Sequence, residues 1–165
     1  MALAVPRTWV VGEVVTAAYL NAEVRDQFTD LLAAWTAYTP VWTATTNPSL
    51  GNGTLVGKYR KIGRLVNFQI DLTMGTTTTY GSGAWSLTLP FAAAASSGSR
   101  IGVAQALGGS RFGGQIVISP SAAGTSPFFP ASASVSNLSS VAAATPFTWA
   151  SGNELRITGC YESAT

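Results

Sequence analysis

The chain has 165 residues, of which 10% are charged and 47% hydrophobic, with a formal net charge of +2; typical soluble domains carry about 25% charged residues. This balance argues against the broad basic face of a nucleic-acid binder. The lone Cys160 excludes an intrachain disulfide and a cysteine-based zinc site, and the absence of histidine removes the commonest catalytic base.

The low charge is not a disorder signature, because five Trp and seven Phe can build a core. It fits a surface covered by copies of the chain or by partners, or a compact surface outside cells. The charge is unevenly placed. Residues 1–40 sum to −2 and the remainder to +4, with Lys58, Arg60, Lys61 and Arg64 close together. The opening "MALAVPRTWVVGEVV" lacks a basic region followed by a long apolar core, so no signal peptide is expected. No apolar run approaches the ~20 residues of a membrane span, so neither membrane insertion nor export as a free chain is expected.

The first predicted element is a helix over 17–35. Leu20, Val24, Phe28, Leu31 and Trp35 fall within about an 80° arc at helical spacing. Glu23, Arg25, Asp26 and Asp30 lie away from that arc. Thr16 suits the N-cap, because its hydroxyl can accept a bond from a free N–H of the first turn. Thr39 precedes Pro40, which disfavours helical geometry. The stripe is narrow. Ala17, Leu20, Val24, Leu31 and Ala34 keep coiled-coil a/d spacing, with Gln27 at one d position. Two readings follow: a helix packed on its own β domain, or an oligomer seam of Leu20, Val24, Phe28, Leu31 and Trp35 between identical chains. A helix this short needs burial against something in either case. Asp26 and Asp30, like charges at i,i+4, read as a solvated face or a weak interchain contact.

After Pro40 the period becomes two. "LVNFQIDLTM" (65–74) puts Val66, Phe68, Ile70, Leu72 and Met74 on one face. "AWSLTLP" repeats the pattern with Trp85, Leu87 and Leu89, and "NELRITGCYE" with Leu155, Ile157, Gly159 and Tyr161. Weaker strands are expected at 41–46, 55–62, 101–107, 115–119 and 132–138. Glycine-rich turns separate them. The biased stretch 119–144 reads as a long loop anchored by Phe128 and Phe129. About eight short strands and no second helix predict an antiparallel sandwich, jelly-roll-like, over 40–165, preceded by a helical attachment segment, 1–39.

Chemistry is sparse. Lys58 and Lys61 read as a solvated cationic edge, and Cys160 as a small buried or half-buried thiol. A pair of carboxylates could cleave a glycoside, but only Asp71, Glu154 and Glu162 lie in the β region. "GNGTLVG" and "GGSRFGG" lack the Lys-Ser/Thr of a phosphate loop, so turn glycines suffice. No catalytic residue, cofactor or metal site is expected. Trp42, Trp85, Trp149, Tyr59 and Tyr80 could stack on a sugar, yet Trp85 alternates with Leu87 and Leu89, which assigns it to a core or a subunit interface, and Phe147 and Trp149, leading into the final strand, are expected to do the same. Any sugar contact falls in turns 75–83 or the loop 119–132.

"TWVVGEVVTAAYLNAEVRDQF" resembles the start of many bacteriophage tail-associated proteins, especially of phages of actinobacteria, in the pattern W-x-x-G-E-x-V-T-A-x-x-L-N-x-x-V-R-D. "YTPVWTATTNPSLGNGTLVGKYRKIG", "GSGAWSLTLP" and "PFTWASGNELRITGCYE" continue the likeness, which covers about half of the chain. The resemblance implies a virion component, commonly trimeric, with an N-terminal attachment helix and a β-sandwich head; no catalytic residue comes with it. The chain lacks a long shaft. The expectation is a homotrimeric structural virion protein: a tail appendage or short fibre that aids host-surface attachment, or else a capsid decoration or head fibre anchored by its N-terminal segment. Its partners would be itself, other virion proteins and a host-surface glycan.

Overall fold

The computed structural model describes residues 6–96, 98–130 and 137–165. Among these it is mainly β and antiparallel, with one helical segment at the front. The helical segment begins as α1 (Ala17–Leu20), passes through a π-helical turn, Asn21–Arg25, and ends as α2 (Asp26–Leu32). The strands are β1 (Thr36–Tyr38), β2 (Trp42–Thr43), β3 (Thr54–Ile62), β4 (Leu65–Thr73), β5 (Ser86–Thr88), β6 (Arg100–Leu107), β7 (Arg111–Ile118), β8 (Gly124–Pro130), β9 (Leu138–Ser140) and β10 (Glu154–Glu162).

They form one curled sheet in the order β1-β3-β4-β10-β6-β7-β8-β5-β2, with β9 on β8. The curl lets a single sheet enclose a core on its concave face, as two sheets would in a sandwich. The last strand in the chain is central: β10 pairs with β4 on one side and β6 on the other. β3 and β4 are joined by a two-residue hairpin whose first residue, Gly63, has φ +58, as a type II′ turn requires.

The period-two strands bury the expected faces. Val66, Phe68, Ile70 and Leu72 of β4 meet Leu155, Ile157 and Tyr161 of β10 in the core. An aromatic series runs through it. Ring centroids lie 4.6 Å apart for Trp42 and Trp85, 5.1 Å for Trp85 and Trp149, and 4.7 Å for Trp149 and Phe147. The indole N–H groups of Trp85 and Trp149 donate to the carbonyls of Tyr80 and Thr145, so these large residues are buried without stranded donors. Trp42, Trp85 and Trp149 are core residues, whereas Trp9 and Trp35 are exposed.

Four expectations need correction. The helix stops at Leu32, because Ala33 turns to extended backbone (ψ 147) and Thr36–Tyr38 pairs with β3; Trp35 lies beyond the helix, and the sheet begins before residue 40. The biased stretch 119–144 is not one loop. Thr125, Pro127 and Phe129 of β8 alternate inward, and Pro127, lacking an N–H, still accepts from Val141 N. Cys160 is exposed on the convex face of β10, not buried. Asp30 is buried, not solvated. Part of the strand expected at 132–138 lies outside the described residues.

Two loops, 44–53 and 75–84, are laced together by the Thr, Ser and Asn of the low-charge tract. Asn52 Oδ1 accepts from both the N–H and the hydroxyl of Thr77, Thr78 Oγ1 donates to the Leu50 carbonyl, and Ser82 Oγ donates to Thr46 Oγ1. Gly81 (φ +60) sits where a Cβ would fall 2.0 Å from the Thr46 carbonyl, so this approach needs glycine.

Candidate self-association surface

The N-terminal segment folds back on the first turn of the helix around Arg7. Its guanidinium pairs with the Glu13 carboxylate and lies 4.8 Å from the Trp9 ring centre and 4.2 Å from that of Tyr19. The Arg7 N–H donates to Glu23 Oε2. A hydrogen bond to Tyr19 is the first cause of a raised Arg7 pKa, with Glu13 and Glu23 adding to it. Thr16 caps the helix as expected, accepting from Tyr19 N at 3.3 Å. The charges at the front of the chain thus fix the geometry of the segment itself.

The π turn alters the apolar stripe. Asp26 N–H donates to the Asn21 carbonyl, an i→i+5 bond that takes in one residue more than an α turn. Every later residue is therefore rotated by roughly 100° relative to a continuous α-helix. Leu20, Val24, Phe28 and Leu32 come into one line, while Leu31 swings about a quarter turn aside. Leu32 is the residue that straight-helix reasoning misses; only the hydrogen-bond pattern reveals it.

Along this line Leu20 is 50%, Val24 46%, Phe28 61% and Leu32 84% exposed, and the expected seam residues Leu31 and Trp35, off the line, are each 44% exposed. The helix makes no extensive contact with any strand of its own sheet. It reaches the sheet at its C-terminal end, where Asp30 and Ala33 line a cleft of about 310 Å³ with Thr36, Tyr59, Arg60, Lys61 and Phe91.

A second uncovered apolar surface lies on the convex side of the sheet. Ile101 and Val103 of β6 are 66% and 61% exposed. Val103 stands opposite Thr158 of β10, and Thr158 opposite Gln69 of β4. The carboxylates considered for glycoside cleavage are divided. Asp71 and Glu154 both lie beside Arg156 in a shallow cleft of about 260 Å³, where Glu154 is ion-paired with Arg156. Glu162, at the other end of β10, pairs with Arg64 at 3.1 Å. Tyr59 and Tyr80 pack partly buried against the core. Among the described residues, no three His, Cys, Asp or Glu side chains are grouped to hold a metal ion, and no helix is long and apolar enough to cross a membrane.

Comparison with protein-family profiles, curated proteins and solved structures returns no match.

Proposed function

We propose that this chain is a structural protein of a bacteriophage virion, homotrimeric through its N-terminal helical segment, acting as a tail appendage or short fibre that aids attachment to the host surface. The observation that carries self-association is the uncovered apolar stripe of the helix, with Phe28 61% exposed. A row of large apolar side chains in water is a standing cost, and a partner surface removes it. The virion setting rests on the resemblance of the quoted sequence blocks to phage tail-associated proteins. The laced hydroxyl-rich loops 44–53 and 75–84 supply a rigid polar end suited to a host glycan.

The compact build favours a second reading. Among the described residues there is one helical segment and one curled sheet and no extended shaft, which suits a capsid decoration anchored by the helix. Mass spectrometry of purified virions, counting copies against the major capsid protein, separates the two. A few copies in multiples of three place the protein on the tail, and hundreds place it on the head. Absence from the virion overturns both. A monomeric mass in solution by light scattering overturns the trimer.

A further inference from the structure

We infer that Asn52–Gly53 is a latent self-modification site: the asparagine converts to isoaspartate when the loops 44–53 and 75–84 part, and is held unreactive while they are joined. The inference is independent of the virion reading.

The chemistry starts from the sequence. Among the asparagines only Asn52 precedes a glycine, and glycine places no Cβ in the way of its own nitrogen approaching the preceding side chain. The Gly53 nitrogen gives up its proton and bonds to Asn52 Cγ. The bond from Cγ to Nδ2 breaks, and ammonia leaves with a proton. Water then opens the five-membered imide at one carbonyl to give aspartate, or at the other to give isoaspartate. No oxidant or cofactor is needed.

The structure sets the conditions. Asn52 is exposed to water, so burial does not protect it; its hydrogen bonds do. Residues 50–53 form a turn closed by the Gly53 N–H on the Leu50 carbonyl at 2.9 Å, with Gly51 (φ +57) as the first central residue, as a type II′ turn requires. The attacking nitrogen is thus tied into the turn. The group it would attack is tied to the other loop: Asn52 Oδ1 accepts two bonds from Thr77, and Nδ2 donates to Thr76 Oγ1. Gly75 packs over both. A Cβ on Gly75 would fall 2.2 Å from Asn52 Oδ1 and 2.5 Å from the Gly53 nitrogen. Closing the ring swings Cγ onto the Gly53 nitrogen and breaks the bonds to Thr76 and Thr77, so the loops open first.

Opening is then recorded irreversibly, because ammonia is lost. Isoaspartate runs the backbone through the side-chain carbons and lengthens it by a methylene just before β3 begins at Thr54. Its free carboxylate sits directly on Cα, so the native clamp on Thr76 and Thr77 cannot re-form.

The test incubates the full chain in mildly alkaline buffer, both native and in guanidinium chloride. Conversion at Asn52 is followed by peptide mass spectrometry, with fragmentation that separates isoaspartate from aspartate. Asn52 should convert first among the asparagines in denaturant, and on the order of tenfold or more slowly in the native chain. Thr77→Ala, which removes the hydroxyl, should raise the native rate severalfold and leave the denatured rate unchanged. Thr77→Ser, which keeps the hydroxyl, should stay near the rate of the unmodified chain. Tyr161→Phe weakens the fold away from these loops and should leave the native rate unaltered. No conversion in denaturant overturns the site, and equal native and denatured rates overturn the protection. A native rate unmoved by Thr77→Ala, or raised as much by Tyr161→Phe, overturns the loop clamp as its cause. If Thr77→Ala loses the circular dichroism of the sheet, Thr76→Ala, which removes only the acceptor for Nδ2, decides in its place by the same readings.

Discussion

Asn52 and Thr77, 25 residues apart, hold each other through both backbone and side chain. Asn52 N–H donates to Thr77 Oγ1 at 2.9 Å, and Thr77 N–H and Oγ1 each donate to Asn52 Oδ1 at 3.0 Å. A third partner, Thr76 Oγ1, accepts from Asn52 Nδ2 at 2.9 Å. One amide therefore joins two loops.

Asn52→Ala removes the three side-chain bonds and should lower unfolding stability by about 1–2 kcal/mol, read as a shift in urea midpoint at constant slope. Asn52→Asp keeps the Oδ1 acceptor and should cost less. Equal losses for the two variants would show that Oδ1 is not what joins the loops.

Gly57 of β3 lies opposite Tyr38 of β1, and a Cβ there would come 2.4 Å from the Tyr38 ring. Gly57→Ala should displace β1 and cost about 1–3 kcal/mol, as overpacking does. Because β1 follows the helix directly, amide exchange in Thr36–Tyr38 should rise more than in β4. A silent Gly57→Ala would mean that β1 yields without cost.

Burial raises the Tyr161 hydroxyl from 10.0 to about 12, opposed by its hydrogen bond to Phe91, and burial raises Tyr38 in the same direction. With the folded pKa above the unfolded one, the neutral form is favoured by folding. The stability this contributes is complete below pH 10.0 and is lost as pH climbs through about 12. Tyr161→Phe loses the 2.7 Å bond to the Phe91 carbonyl, about 1 kcal/mol at neutral pH, but should flatten the alkaline fall in denaturant midpoint. An unchanged alkaline slope in both Tyr161→Phe and Tyr38→Phe would sink this account.

Phe28→Glu places a charge on the uncovered stripe. Within the single chain Phe28 is 61% exposed, so the circular dichroism of the sheet should not change. Light scattering should show a lower mass, with a dissociation constant at least tenfold weaker, since even 1.4 kcal/mol of lost interface is tenfold. An unaltered mass would remove the stripe from the interface.

The sequence by itself determined the strands that bury one face, because a period of two is local: Val66, Phe68, Ile70 and Leu72 must lie together wherever β4 pairs. It likewise determined the N-cap at Thr16, whose hydroxyl needs only its own turn. It misjudged what depends on distant partners. β8 was hidden by Pro127 and Pro130 because its ladder is made by β7 and β9. The helix end depended on β3 drawing Thr36–Tyr38 into the sheet. The central place of β10 joins strands some ninety residues apart, which no local period reports. The exposure of Cys160 and the alignment of Leu32 with Leu20 and Phe28 were likewise decided by tertiary structure and by the π turn. A hydrophobic period says which residues share a face; only the assembled backbone says which neighbour, or which absence of one, that face meets.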